Sequence, residues 1–516
     1  MNNQYILLWK RMLLGISMSI IGGLALVFAF PPYEIWPLVF IGYIPVLVAQ
    51  YRVLPPKFSS LAPAIGTAVW LQGYLGPVFA PVGTFMVYLP LIAGGISFLT
   101  DSGLATFHKK TGYRWFVISG ITSWAGSEMI RLFIPIAGTW AFIAYPLYRQ
   151  TWLIQPVSIF GIIGMGMLIM MVNHVITLLI LKWIDHRWVL SDAPLLKAIF
   201  LRRWVLSGGV ILMVWIMLSL VLFIIPLNTS KVTVAAIQPQ ASPINSANEG
   251  QDELVAKLHN DMMEQTRKAA SAGARFIVWP EASFLWDPQV EDRLNVVGLS
   301  QETNSFLALG YILILEQGFR NEATIIDPQG RFLGVFGKDH PVVFGGETSI
   351  SRGTYPVYQT SIGTLGTIIC YDLDYTDTAR KLVRQGAQLI GVPSNDWGSI
   401  AQKHYTHVVF RAIENRVAMV KADGGFNSAI IDPYGRILSL AAFPEGGAAT
   451  LVAEVPLGTG KGTIASHLGD WMGWLALCGM IFFMVAGKWL EKRADEQNKE
   501  MKSYSPSQHD ISESKQ

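Results

Sequence analysis

Three residues of this chain have side chains that could carry out acyl chemistry if brought together. Cys370 lies in TIICYDLDY, at the end of a β-branched apolar run where a strand gives way to a loop. A thiol attacks an acyl carbon efficiently only as thiolate, so it needs a base or a cation beside it. Glu281 ends FIVWPE, where Pro280 stops further sheet pairing. A carboxylate at an apolar strand end can have its pKa raised enough to accept a thiol proton. Lys338 ends RFLGVFGK, and its ammonium would favour the thiolate and steady the oxyanion of a tetrahedral intermediate. Each position also admits a plain reading: a packed core thiol, a helix-capping glutamate, a surface lysine. His340 offers a competing cysteine–histidine pair.

The elements that must position these residues divide between lipid and water. Of the 516 residues, 51% are hydrophobic and 15% charged, and the mean hydropathy is +0.38. Soluble globular chains carry about a quarter charged residues, so part of this one must lie in lipid. A net charge of +3 is too small to argue for nucleic acid. Two cysteines make no disulfide framework, and Cys478 lies in an apolar run far from Cys370.

Apolar runs long enough to span a bilayer fall at 12–30, 35–51, 60–79, 83–100, 113–133, 153–181 and 204–226, with an eighth at 470–490. The first has a basic start but no small-residue cleavage site after it, and is read as an uncleaved helix. The division is therefore a seven-helix transmembrane domain at 1–226, a soluble domain at 227–465, a C-terminal transmembrane helix at 466–490 and a polar, disordered tail at 491–516. Basic residues orient the array: Lys10, Arg11, Arg52, Lys57, Lys109, Lys110, Lys182, Arg187, Lys197 and Lys488 all fall on one side if each span crosses once. That side is cytoplasmic and holds both termini. Arg131 and Arg149 are mild exceptions, and Glu128 and Arg131, costly in lipid, face the domain, line a lipid entry or pair with each other.

Strands and helices alternate in the polar domain. KVTVAAIQP, RFIVWPE, FLALGYILI, GTIICYD, QLIGVPSND and VAMVKADGG read as strands, and 252–273, 375–386 and 402–416 as helices. ATIIDPQGRFLGVFGK is echoed by SAIIDPYGRILSLA, each a strand, an Asp-Pro-x-Gly turn and a second strand. Two such hairpins suggest two similar sheets, and a layered α/β sandwich fits best.

WPEAS, FGKDH and IICYDLDY, followed by SNDWG and FRAIENR, resemble in content and order the landmarks of the carbon–nitrogen hydrolase (nitrilase) superfamily, over about 231–455. With the spans around that domain, the chain resembles the apolipoprotein N-acyltransferase family, as does GTWAFIAYPLYRQTWLIQPVSIFGIIG. The resemblance implies an αββα sandwich outside a cell (inner) membrane and a Glu281-Lys338-Cys370 catalytic set. It implies a phospholipid acyl donor, a Cys370 thioester, and a lipoprotein or lipopeptide amine as acceptor, with no cofactor. Glu347 would support the lysine, in FGGE where the family has Phe-Gly-Glu, and the Tyr371 backbone N–H would be a second oxyanion donor. Asp372 replaces the family's Glu after Cys-Tyr, and SNDWG, with Trp397, is shorter than the family's Asn-Asp-x-Trp-Phe-Gly. Trp279 and Glu414 complete the supporting positions, Glu414 as a buried ion-pair partner. A monomer is expected.

Other readings weigh less. Asp372, Asp374 and Asp377 lack the glycine and closing glutamate of a calcium loop, and His404 and His407 show no matching acidic partners for zinc. A tethered amidase with water as acceptor, and an inert lipid-binding or transport protein, are the rival functions.

Overall fold

The computed structural model describes residues 2–81, 83, 86–187, 196–343, 346–351 and 353–503. Each expected membrane segment is found, although not always as one helix. The second is in pieces, Trp36–Phe40, Ile44–Val48 and Ala49–Val53, with Pro37 and Pro45 in the first turns of the first two; Pro45, whose ring clashes with the preceding turn, separates them. Among the described residues, six segments are long and apolar enough to cross a bilayer: Leu7–Ala29, Trp36–Val53, Met86–Lys110, Val157–Arg187, Ala198–Ile224 and Trp471–Trp489. Two of the eight expected spans fall outside this set. Leu61–Phe79 carries Gln72, Pro77 and several glycines, and Phe116–Arg131 has only 16 residues, too few for a bilayer core of about 30 Å. Residues 84 and 85, at the start of the fourth expected span, lie outside the described residues.

The first part of the expected tail is helical. The last helix runs unbroken from Trp471 to Ser503, since its continuation is rich in Glu, Lys, Arg and Ala and needs no new nucleus. Residues 504–516 of that tail lie outside the described residues.

The bundle has two unlike ends. At one, Arg11 donates to the Val53 carbonyl at 2.9 Å and Arg52 makes a two-pronged pair with Asp185 at 2.6 and 2.9 Å. At the other lies the polar domain. There the Val78 carbonyl accepts from the Trp397 indole at 3.1 Å, the Pro135 carbonyl from the Tyr375 hydroxyl at 2.8 Å, and Asp470 from Thr376 and Arg380 at 2.9 Å each. Arg149 pairs with Glu34 at this second end, at 3.2 Å.

The polar domain is two six-stranded sheets packed face to face. In order along the chain the strands are β1 (Lys231–Gln238), β2 (Phe276–Val278), β3 (Phe306–Leu315), β4 (Gly318–Ile326), β5 (Phe332–Gly337) and β6 (Val357–Thr360). They continue as β7 (Gly363–Thr367), β8 (Leu389–Ser394), β9 (Ala418–Asp423), β10 (Asn427–Ile431), β11 (Ile437–Ala442) and β12 (Ala449–Pro456). The sheets are ordered β12-β1-β2-β3-β4-β5 and β11-β10-β9-β8-β7-β6. Period-two alternation assigns the faces. Val232, Val234 and Ala236 point between the sheets, whereas Ala235 and Ile237 point to an outer layer of helices, Asp252–Ser271 and Val296–Thr303.

The second sheet is covered by the helices Asp377–Arg384 and Tyr405–Asn415. That apolar layer is continuous with the membrane bundle: Val392, Met419 and Ile413 share one core with Ile143, Ile162 and Met165. Both Asp-Pro-x-Gly hairpins are present, β4–β5 in one sheet and β10–β11 in the other. In each, the aspartate side chain accepts two backbone N–H groups of the turn at 2.9 Å, Gln329 and Arg331 for Asp327, Tyr434 and Arg436 for Asp432.

Candidate active site

The ends of β2, β5, β7 and β8 meet on one side of the sandwich. β7 stops at Thr367, and Cys370 opens a short 3-10 helix, Cys370–Asp374, with φ +43°, a conformation costly for a non-glycine residue. That turn lifts the sulfur off the strand end. Glu281 follows β2, and its N–H is bonded to the Ser394 carbonyl at the end of β8, at 3.2 Å, which ties the two sheets together. Gly310 lies under it: a Cβ there would come within 2.7 Å of the Glu281 Cα and 2.8 Å of the Pro280 carbonyl oxygen. Lys338 follows β5, its N–H on the Asn321 carbonyl at 2.8 Å.

Lys338 is buried between two carboxylates, its Nζ 2.8 Å from Glu281 Oε1 and 2.8 Å from Glu347 Oε2. Asn321 of β4 donates to both, at 2.6 Å to Glu281 and 2.8 Å to Glu347, and the Val342 N–H reaches Glu347 at 2.8 Å. Both bonds to Glu281 fall on Oε1; among the described residues Oε2 has no donor. Two carboxylates sharing one ammonium cannot both stay fully ionised at ordinary cost, so their proton affinities split. Burial, only partly offset by Lys338 and aggravated by Glu347, pushes Glu281 up. Glu347, despite burial, is held below the usual carboxylate range by Lys338. The two glutamates outweigh burial at Lys338 and keep it firmly protonated.

The sulfur meets a second set on its other side. Cys370 Sγ lies 3.5 Å from Asp396 Oδ1. Asp396 Oδ2 accepts from Lys421 Nζ at 2.8 Å and from Asn427 Nδ2 at 2.5 Å, and Lys421 also reaches Asp423 at 3.2 Å. His404 presents Nδ1 to both oxygens of Asp396, at 2.9 and 2.8 Å, and its Nε2 lies 3.3 Å from Asp374. His407 donates to the same Asp374 oxygen, and the Trp140 indole to the other at 2.9 Å. Burial alone would lower His404, but Asp396 and Asp374 on either side push it up to about 10. The expectation that His404 and His407 lack acidic partners is thus wrong: their partners come from two other loops, invisible at helical spacing. Burial first, then Glu281 and Asp396, raises the Cys370 thiol well above its ordinary value, against Lys338 and Lys421.

A narrow cavity opens beside Cys370, Tyr371 and Trp397. Val78, Phe79, Ile136 and Trp140 of the membrane bundle and its loops form one part of its wall, and Val342, Asp374, Asp396, Ile400 and His404 of the polar domain the rest. The loop is held from below. Glu128 accepts from the Ile143 N–H at 3.0 Å and the Trp124 indole at 3.1 Å, and Arg131 donates to the Trp140 carbonyl. The costly pair in the fifth segment is spent on this loop.

The remaining expected residues separate by place. Tyr371 anchors its hydroxyl on the Pro135 carbonyl at 3.3 Å. Asp372 is fully buried and accepts from the N–H groups of Ile369, Asp339 and His340 at 3.0, 3.1 and 2.9 Å, bracing the lysine loop against the thiol turn. His340 stacks on Tyr375 at 3.8 Å between ring centres and faces Asp372 and Asp377, not the sulfur. Phe344 and Gly345 of FGGE lie outside the described residues. Two expected positions do not line the cavity. Trp279 points into the outer helix layer with Ile277, its indole on Thr266 at 2.8 Å, and Glu281 escapes that face because β2 ends at Val278 and Pro280 follows. Glu414 is the buried ion-pair partner expected: it pairs with Arg411 at 3.0 Å and accepts from the Ile162 N–H at 2.8 Å, beyond a break at Gly161 (φ 68°), and so joins the domain to the bundle. Sequence reasoning passed over Asn321, Asp396, Lys421 and His404; a lysine inside the apolar run VAMVKAD was a usable sign of a buried ion pair.

The chain matches two families of known proteins: carbon–nitrogen hydrolase over residues 233–465 and the apolipoprotein N-acyltransferase N-terminal domain over residues 22–175. It is 28% identical to the apolipoprotein N-acyltransferase of Geobacter metallireducens, across 90% of this chain and 93% of that one. It is 24% identical to that of Gloeobacter violaceus, across 93% and 95%. Among solved structures, an amidase from Nesterenkonia sp. is similar at 18% identity, with a TM-score of 0.37 over 48% of this chain and 98% of that one. The chain is thus similar to apolipoprotein N-acyltransferases over most of its length, with a carbon–nitrogen hydrolase match at 233–465 and the N-terminal-domain match at 22–175.

Proposed function

We propose that this protein is an integral membrane N-acyltransferase that moves an acyl chain from a phospholipid, through a Cys370 thioester, to the N-terminal amine of diacylglyceryl-cysteine lipoproteins. The observation that carries the reading is the small cavity at the sulfur, where Val78 and Phe79 of the bundle and Ile136 and Trp140 of its loop meet Val342, Trp397 and Ile400 of the polar domain. Each methylene costs about 0.8 kcal/mol to expose to water, so a lipid donor calls for a thiol reachable from the bilayer. Glu281 Oε2 takes the thiol proton as sulfur attacks the ester carbonyl, and Lys338 with the Tyr371 N–H steadies the oxyanion. The carbon–oxygen bond breaks, the lysophospholipid oxygen leaves with the proton from Glu281, and the thioester remains. The acceptor amine then attacks the thioester and gives its proton to Glu281. The carbon–sulfur bond breaks and the thiol is restored.

The catalytic domain, 227–465, then faces outward and both termini are cytoplasmic; the separation of Arg11, Arg52 and Lys182 from the domain end supports this orientation. The test is intact-mass spectrometry of the purified full chain with phosphatidylethanolamine. An acyl adduct on Cys370, absent in Cys370→Ala and discharged by a diacylated lipopeptide to give an amide, is the expected result. Discharge to water alone favours the amidase, and no adduct with any phospholipid overturns the reading.

A further inference from the structure

The mechanism above leaves a buried carboxylate in contact with the reacting sulfur and gives it nothing to do. We infer that Asp396, locked by Lys421, Asn427 and His404, is a positioning residue that accepts the hydrogen bond of the resting Cys370 thiol without taking its proton, leaving that task to Glu281. The inference rests on Cys370 being the nucleophile. Its geometry is one-sided. Asp396 Oδ2 is filled by Lys421, Asn427 and His404, and Oδ1 by His404 and the thiol. Protonating such a carboxylate would break bonds to charged donors, which are the strong ones. Burial opposes ionisation of Asp396, but His404 and Lys421 outweigh it and hold the carboxyl far below the usual range. Glu281, by contrast, keeps Oε2 without a donor among the described residues.

The thiol therefore has an orienter on one side and a base on the other. Four charged groups act on it directly, Glu281, Asp396, Lys338 and Lys421. Behind them stand Glu347 and Asp423 on the two lysines, and His404 with Asp374. Asp374 binds the loop from the bundle through the Thr139 N–H at 2.8 Å and the Trp140 indole at 2.9 Å, so the lock on Asp396 is anchored in the membrane part.

The test follows alkylation of Cys370 by iodoacetamide against pH, in the full chain carrying Cys478→Ala, since Cys478 is exposed. Asp396→Asn removes a negative charge from the sulfur. The alkylation midpoint should fall by about one to three pH units, which below the midpoint is about tenfold or more in rate. Acyl transfer should nevertheless slow by about a hundredfold, through kcat, because the thiol loses its orientation. A merely structural role would depress both readouts together. His404→Gln removes the counter-charge and should raise the midpoint, the opposite direction, and it decides the matter alone if Asp396→Asn does not fold. An unchanged or raised midpoint in Asp396→Asn, unchanged transfer in that variant, or an unchanged or lowered midpoint in His404→Gln overturns the inference. Alkylation reads the sulfur itself, so these outcomes stand apart from whether phospholipid is the donor.

Discussion

The two sheets repeat one pattern of pairing. In each, an antiparallel edge strand is followed by three parallel strands and then an antiparallel hairpin: β12 and β1–β5 in one, β6 and β7–β11 in the other. Each delivers to the thiol a lysine held by two carboxylates with an asparagine beside it. The first set is Lys338 with Glu281, Glu347 and Asn321; the second is Lys421 with Asp396, Asp423 and Asn427. In both, one carboxyl is pushed up and the other held down. In the first set the raised one, Glu281, faces the sulfur; in the second it is the depressed one, Asp396. His404, which has no counterpart in the first set among the described residues, makes the difference. Similar parts give a carboxyl of raised proton affinity on one side and a fixed anion on the other, according to where one extra cation is placed.

The largest effects should fall on the first set. Glu281→Gln is expected to slow thioester formation by about 10²–10⁴-fold, read by rapid-quench intact mass, because a glutamine cannot take the thiol proton. Equal losses and identical alkylation profiles in Glu281→Gln and Asp396→Asn would erase the asymmetry. Lys338→Met should cost about 10²–10³-fold in kcat through the oxyanion, and a loss confined to KM would contradict that role.

A finer test is the acid limb. Glu281 works only when deprotonated, and its pKa is raised, so the rate should climb as pH rises through that raised value. Glu347→Gln removes a like charge that keeps Glu281 high, so the limb should move to lower pH by about one unit. A limb that stays in place or moves upward would mean that Glu347 does not set the base. The smallest effects belong to the hairpins. Asp327→Ala should lower stability by about 1 kcal/mol, seen as a small fall in Tm in detergent. Asp432→Ala should cost more, because Tyr434 of its turn also accepts from Gln155 at 3.0 Å at the bundle.

Much of this arrangement was legible in the chain. Strand alternation in KVTVAAIQ marks two buried faces, and Pro280 and Cys370 mark where strands stop. Trp279 shows the limit of proximity in sequence: it stands two residues from Glu281 yet faces the opposite layer. Asp396 lay in a noticed motif without a role, because a carboxylate's task depends on neighbours that SNDWG does not contain. His404 and His407 were dismissed for the same reason.

The order of residues by itself determined the partition between lipid and water, the layered sandwich, and the presence of a thiol, a carboxylate and an ammonium at strand ends. Those follow from periodicity and hydropathy, which are local. Only the tertiary structure decided which carboxylate can accept a proton and which cannot. Proton affinity in a buried site is set by the charges within a few ångströms, and here those charges arrive from segments as distant as Lys338, Asp374 and Lys421.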